Sequence, residues 1–324
     1  MSSDTDIATL GGQTMGTTWS VKLAAARSRD LHPLHAGIQQ QLDHIVAQMS
    51  TWEAGSDISR YNRADAGSRY PLPENFWQVL HAAHAIARQS NGAFDPTIGP
   101  LVALWGFGAD AGQQRAPDAA TLAATAARCG WQRLQLDDAS QSALQPGGLH
   151  LDLSAIAKGY GVDLVSRWLR MQGISAALVE VGGELHGYGR KPDGQPWRVL
   201  VETAPEEDAS ADYPARVLAL DDLAVATSGD HWHRYEHAGI RYSHTLDPRQ
   251  HAPVTDAAAA VTVIHREAMY ADAWATALTV MGATAGLAFA EAHGLAARFV
   301  QRGGVGLVEA LSPAFQQHLD ASTA

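Results

Sequence analysis

The spacing of apolar residues changes period along the chain, and each change predicts an element. "TMGTTWSVKL" alternates, sending Trp19, Val21 and Leu23 to one face, which is the period of a strand. "LHAGIQQQLDHIVAQM" instead places Leu34, Ile38, Leu42, Ile45 and Met49 on one helical face. "STWEAGSDISRYN" breaks that pattern and predicts a loop with a short turn. "ENFWQVLHAAHAIARQSNG" predicts a second helix stopped by Asn91-Gly92. A third runs from about Pro117 to Arg128, with Pro in its first turn and Gly130 beyond its end. "LHLDL" predicts a short strand entering a helix from Ser154 to about Gln172, with Ser154 as N-cap.

After that helix the period turns to two. "AALVEV", "ELHGYG", "WRVLVE", "RVLALD", "AVATS", "RYSHTL" and "AAVTVI" follow closely enough to predict hairpins and a largely antiparallel sheet. "EAMYADAWATALTVMG" and "TAGLAFAEAHG" are helices, the first closed by Gly282. "AARFVQ" and "GLVEAL" are strands, and a short helix ends the chain. "APEEDASADYP" is polar and acidic and predicts a solvated loop. No internal repeat is present. The fold class is α+β, with helices concentrated early and strands late.

Composition narrows what such a chain does. Its 324 residues suffice for one large domain or two modest ones. A hydrophobic fraction of 46% with 18% charged residues is that of a soluble globular protein. The net charge of -11 argues against nucleic acid as a partner. A phosphorylated ligand needs local cations, a metal or helix N-termini to offset that acidity. The single cysteine, Cys129, excludes an intrachain disulfide and a Cys-rich zinc site, and its setting in "AATAARCGW" predicts a packed thiol. "MSSDTDIATLGGQTMG" has neither a basic nor an apolar leader region, so the expected compartment is the cytoplasm, or the periplasm if a leader has been removed. No apolar run reaches membrane-spanning length.

Several short segments could carry chemistry. Asp272 and Thr276 in "ADAWATA" are one helical turn apart and share a face. A carboxylate and a hydroxyl together are hard-oxygen ligands of the kind Mg²⁺ takes, and the same spacing also fits an ordinary exposed polar pair. In "LDLSAIAKGYGVD", Asp152 precedes a helix start with Lys158 one turn in, an arrangement able to hold a phosphate or a polar ring edge. Gly159 and Gly161 inside that helix predict close approach, either of another backbone or of a ligand. The Gly-Gly of "EVGGELHGYG" is satisfied by a tight turn and is not a dinucleotide fingerprint, because no helix follows. "NGAFDPTIGPLVALWGFG" mixes Phe94, Trp105 and Phe107 with Gly and Pro, which suits the wall of a planar ligand or plain loop packing. Finally, "DHWHRYEHAGIRYSHTLDPRQH" holds five of the fifteen histidines: His231, His233, His237, His244 and His251. That density raises a transition-metal site as one reading and a single working histidine as the other.

Taken in order, "TMGTTW", "MSTWEAGSDISRYN", "GAFDPTIGPLVALWGFG", "LDLSAIAKGYGVD", "VEVGGELHGYG", "ATSGD", "HTLDP" and "ADAWATA" resemble the FAD:protein FMN transferases, the ApbE family. The resemblance runs from about residue 11 to residue 311, leaving residues 1–10 as an N-terminal tail and 312–324 as a C-terminal helix and tail. It implies an α+β fold of mixed, largely antiparallel sheets, one functional unit with an FAD cleft between two lobes. It also implies an enzyme that uses Mg²⁺ to cleave the FAD pyrophosphate, passes FMN to a Thr or Ser hydroxyl of a target flavoprotein and releases AMP. Two rivals share those motifs: an FAD pyrophosphatase giving FMN and AMP, and a non-catalytic FAD-binding protein.

By the same resemblance Asp272 and Thr276 match magnesium ligands, and Ala155 adds a backbone carbonyl. Met15, Trp52, the run Ala93-Phe94-Asp95, Asp152, Lys158 and Leu246 match FAD contacts. His244, opening "HTLDP", matches the general base; an imidazole titrating near neutrality suits that task. Magnesium prefers oxygen, so the other histidines are expected on loops or sheet edges, with zinc chelation by His231-x-His233 left open. The chain departs from the family's Asp-Pro-x-Thr-Gly, since Gln250 and His251 stand where Thr and Gly are usual. The turn there must be made without its glycine.

Overall fold

A computed structural model describes residues 5–112, 114–201, 216–229, 234–237, 240–254, 260–303 and 306–323. The strands are β1 (Thr5–Thr14), β2 (Thr17–Ala26), β3 (Arg69–Pro71), β4 (Gln135–Asp137), β5 (Ser142–Leu144), β6 (Ala177–Val181), β7 (Glu184–Tyr188), β8 (Trp197–Val201) and β9 (Arg216–Leu220). They continue as β10 (Leu223–Gly229), β11 (Arg234–His237), β12 (Ile240–Ser243), β13 (Leu246–Asp247), β14 (Ala252–Pro253), β15 (Ala260–His265), β16 (Ala296–Gly303) and β17 (Gly306–Leu311). The helices are α1 (His32–Met49), α2 (Asp57–Asn62), α3 (Glu74–Gln89), α4 (Gly99–Leu104), α5 (Ala119–Ala126), α6 (Ala157–Met171), α7 (Ala268–Met281), α8 (Ala283–His293) and α9 (Pro313–Thr323).

An eight-stranded sheet ordered β1-β2-β6-β7-β10-β15-β16-β17 forms the frame, and every neighbouring pair is antiparallel. Period-two alternation divides its side chains between two cores. Val179, Val181, Ala224, Ala226, Val261 and Val263 face one way, into the larger core built with α1, α6 and α7. Val225 and Ile264 face the other way, against Trp197, Val199 and Leu218 of the β8–β9 ribbon and Phe315 of α9. No helix among the described residues is long and apolar enough to cross a membrane.

Most periodic segments form the expected elements. Leu34, Ile38, Leu42, Ile45 and Met49 are all buried on α1, and Trp19, Val21 and Leu23 on β2. The differences are local and have physical causes. Residues 5–10, expected in a tail, are strand, because every residue of β1 pairs with β2. "TMGTTWSVKL" contains a turn: Met15 and Gly16 both take positive φ (49° and 71°), the two-residue hairpin geometry that follows strand twist. "LHLDL" makes only one bridge, His150 to Ile98, and "RYSHTL" is broken by a bend at His244. Ser154 is no N-cap. The helix starts at Ala157, and Ser154 instead donates its N–H (2.9 Å) and hydroxyl to Asp152 Oδ1. The acidic loop, "APEEDASADYP", lies outside the described residues.

Two helices set the site, and one glycine fixes their distance. A Cβ on Gly159 of α6 would stand 2.3 Å from the carbonyl oxygen of Ala268 and 2.8 Å from Cα of Met269, at the start of α7. Of the two readings open for this glycine, backbone approach is the one realised. Asp163, one turn further along α6, accepts the N–H groups of Ala268 (2.8 Å) and Met269 (2.9 Å), which the start of α7 would otherwise leave unpaired. Gly159→Ala is expected to push the helices apart at a cost of about 1–3 kcal/mol. Urea denaturation of the variant, showing an unchanged midpoint, would contradict this packing role.

Candidate active site

Four backbone segments converge around the start of α6. Asp272 points from α7 toward α6, is 3% exposed, and accepts the N–H of Gly159 (3.1 Å) through Oδ2. Gly159 lies in the first turn of α6, whose amides have no partner within the helix, so Asp272 closes that helix end from outside. The ordinary exposed pair considered for Asp272 and Thr276 is therefore not what forms. Thr276, one turn on, is half-buried, and its hydroxyl lies 3.1 Å from Ser228 Oγ on β10. Ala155 sits half-buried in the turn leading into α6.

Lys158 reaches across the same helix start and forms an ion pair at 2.5 Å with Oε1 of Glu184, the first residue of β7. Burial opposes the ammonium's charge, but Asp272 and then Glu184 outweigh it and hold the Lys158 pKa above its ordinary value. Burial, followed by repulsion from Asp272, pushes Glu184 upward, and burial pushes Asp272 upward as well. Two buried carboxylates share one ammonium, leaving an uncompensated negative charge when all three are ionised. Glu184 Oε2 is also buried with no hydrogen-bond partner. An unfilled buried acceptor in an acidic oxygen-rich nest is chemistry that a hard divalent cation fits. Asp272, Thr276 and the Ala155 carbonyl are the oxygen donors expected to hold it, and Glu184 Oε2 is a further buried oxygen without a partner. No three His, Cys, Asp or Glu side chains gather as a metal site among the described residues.

The β1–β2 turn forms the adjoining wall. A cleft of about 470 Å³ is lined by Gln13, Thr14, Met15, Gly16, Thr17 and Thr18. Thr14 Oγ1 is buried there without a partner. A Cβ on Gly182 would meet Thr17 Cγ2 at 2.8 Å and Lys158 Cδ at 3.2 Å, so the β6–β7 turn is the floor that the lysine stem crosses. Sequence reasoning gave Gly182-Gly183 a turn and missed both Glu184 and Thr14. The available signal was a glutamate opening a run otherwise destined for the interior.

The remaining expected contacts take three kinds of position. Trp52 is 73% exposed on a loop braced by Ser56, whose hydroxyl donates to the Ser50 carbonyl (2.7 Å) and accepts from the Ser59 N–H (3.2 Å). An indole held outside in this way is available for stacking. Ala93, Phe94 and Asp95 are buried. The Asp95 carboxylate is taken up by the N–H (2.8 Å) and hydroxyl (2.7 Å) of Thr97 and the N–H of Trp131 (3.0 Å). Its side chain therefore shapes this wall rather than reaching outward. Asp152 is tied to the same loop by its N–H to the Pro96 carbonyl (2.8 Å). Leu246 is buried with Leu101 and Trp105, apart from the Lys158 cluster's polar contacts.

His244 is half-buried in the bend between β12 and β13. The segment after it is gripped by Asp247, which accepts from the backbone N–H, Nε and Nη2 of Arg249, each at 2.9 Å. Arg249 Nη2 also reaches the carbonyl of Val280 at 3.4 Å, one turn beyond Thr276 on α7. The two departures from the usual motif are absorbed here. Gln250 Nε2 donates to Asp247 Oδ2 (3.2 Å), and His251 takes the left-handed φ of 57° where glycine is usual. Its carbonyl still accepts from Trp105 Nε1 (3.0 Å). His251→Gly is expected to stabilise the fold by about 0.5–1 kcal/mol, relief of left-handed strain exceeding the added chain entropy. A lower denaturation midpoint would show that the imidazole itself contributes more than the strain. His231 and His233 lie outside the described residues, as does the side chain of His237.

Known proteins match both the sequence and the fold. "FAD:protein FMN transferase" of Vibrio cholerae is 36% identical over 311 residues, covering 96% of this chain and 92% of its own. The Escherichia coli K12 protein of that description is 32% identical over 318 residues, covering 97% and 90%. The crystal structure of Pseudomonas stutzeri flavinyl transferase ApbE, apo form, superposes with a TM-score of 0.89 at 38% identity and covers 97% of each chain. Fold and relatives together define a transferase enzyme. The profile of the ApbE family matches residues 15–299, and the chain belongs to that family.

Proposed function

We propose that this enzyme transfers FMN from FAD to a threonine or serine hydroxyl of a target flavoprotein, uses Mg²⁺ and releases AMP. The observation that carries the reading is the meeting of Asp272, Thr276, Lys158 and the first turn of α6 beside the Thr14–Thr17 turn. The names of the relatives supply the flavin.

Asp272 and Thr276, with the Ala155 carbonyl, would hold the cation. Once bound, Mg²⁺ offsets the charge of the pyrophosphate and polarises phosphorus toward attack. Lys158 and Asp152 fix the flavin half, so that positioning and electrostatics supply most of the catalysis. Met15, Trp52, Leu246 and the Ala93–Asp95 loop contact the rest of FAD. His244 accepts the proton of the target hydroxyl as its oxygen bonds to the phosphorus on the riboflavin side. The bond from that phosphorus to the bridging oxygen breaks, and AMP leaves with the oxygen.

One incubation tests this reading: FAD, Mg²⁺ and a candidate acceptor protein, followed by mass spectrometry of the acceptor. Covalent FMN with matching AMP is expected. Free FMN with AMP would make the protein an FAD pyrophosphatase, and bound FAD without AMP would make it a flavin-binding protein.

A further inference from the structure

Glu184 has a set of partners that a strand residue packed only for stability would not have. It follows Gly182 and Gly183, both at positive φ (59° and 103°), so the reversal delivers its carboxylate directly beneath the α6 start. Oε1 receives the Lys158 ammonium, while Oε2 is buried and unpartnered. Neither neighbouring carboxylate makes a direct hydrogen bond to Lys158, although the charge of Asp272 also favours the ammonium. Glu180 accepts from the Gly183 N–H (2.9 Å) and the Ser20 hydroxyl (3.0 Å), and Asp272 accepts from Gly159. Lys158 is only part-buried, and its stem lies against Gly182. An ammonium carries three donors, and one is spent on Glu184. A lysine side chain free to rotate loses much conformational freedom on grasping a ligand, and one already held does not.

We propose that Glu184 is a positioning residue for the flavin-transfer reaction: it clamps Lys158 against the Gly182 turn, so that the remaining ammonium donors meet an oxygen of bound FAD without search. The inference rests on the function proposed above. Its action runs through Lys158, which separates it from a role in holding the fold.

The test is a double-mutant cycle in the full chain, with Glu184→Gln, Lys158→Met and the two together. Each protein is measured for FAD affinity by flavin fluorescence, for single-turnover FAD cleavage at saturating FAD, and for thermal melting. Glu184→Gln is expected to slow the single turnover about 10–100-fold, Lys158→Met at least as much, and the double variant no further than Lys158→Met. Glu184→Asp, which restores the charge at shorter reach, is expected to recover part of the loss while melting like the wild type. A double variant that loses the product of the two single effects would overturn the proposal, as would wild-type turnover in Glu184→Gln. Misfolding of Glu184→Gln leaves Glu184→Asp to decide: a defect that persists unchanged in the Lys158→Met background overturns the clamp. If the wild type binds FAD without cleaving it, the function proposed above fails. The same cycle is then read in FAD affinity, where additive effects overturn the clamp and non-additive effects support it. A wild type that binds no FAD overturns both.

Discussion

Asp272→Asn is expected to fold like the wild type and to lose Mg²⁺-dependent FAD cleavage by at least about 10³-fold. Asparagine keeps an oxygen to receive the Gly159 N–H and removes the charge that a cation requires. A metal contributing several kcal/mol to charge stabilisation corresponds to a loss of about that size. Asp272→Ala is the poorer probe, although a helix-face aspartate looks removable from sequence. It also strips the acceptor from the first turn of α6, and a hydrogen bond to a charged group is worth about 1.5–3 kcal/mol. The alanine variant should therefore melt earlier as well as lose activity. Thr276→Val should be impaired less, because water replaces a hydroxyl ligand. Cleavage rates titrated against Mg²⁺, beside melting curves, separate these outcomes. Wild-type cleavage by Asp272→Asn would remove Asp272 from the metal site.

His244→Ala is expected to bind FAD with near-normal affinity and to transfer FMN about 10²–10⁴-fold more slowly, the usual contribution of a general base. The histidine lies in a bend, not within a ladder, so its removal breaks no strand pairing. The turn that follows is held by Asp247 and Arg249, which the substitution leaves in place. FAD binding and single-turnover transfer on the same variant make the comparison. Weakened binding with an unchanged transfer step at saturating FAD would show that His244 orients its loop and takes no proton.

How much of this was legible before the fold was known depends on what each residue answers to. Period and punctuation speak for local structure, so α1, α3, α6, α7 and most of the sheet could be read from spacing. Residues that answer to distant partners could not. A local competitor also misleads: Ser154 looks like a cap, yet Asp152, two residues before it, takes its hydrogen bonds. Glu184 opens a run destined for the interior, yet nothing local names its partner, Lys158, 26 residues earlier. The spacing of Asp272 to Thr276 leaves an exposed polar pair open and only the resemblance gives it a metal role; its burial and its grip on Gly159 come from the α6–α7 contact, which helical periodicity does not encode. Asp95 is expected at the ligand by the resemblance, and its carboxylate is taken up by Thr97 beside it and by the N–H of Trp131, 36 residues on. The glycine at 159 pointed to a close approach and left open what approached.

Strand order has a consequence for how the enzyme is made. β2 pairs with β6 and β6 with β7, while α7, which brings Asp272 and Thr276, follows β15 near the end of the chain. During synthesis the Thr14–Thr17 turn and Lys158 are complete long before the residues that finish their surroundings. A chain that ends before α7 holds half of the nest and lacks Asp272 and Thr276. The nest is complete only when α7 docks onto α6 and Asp163 receives the first amides of α7.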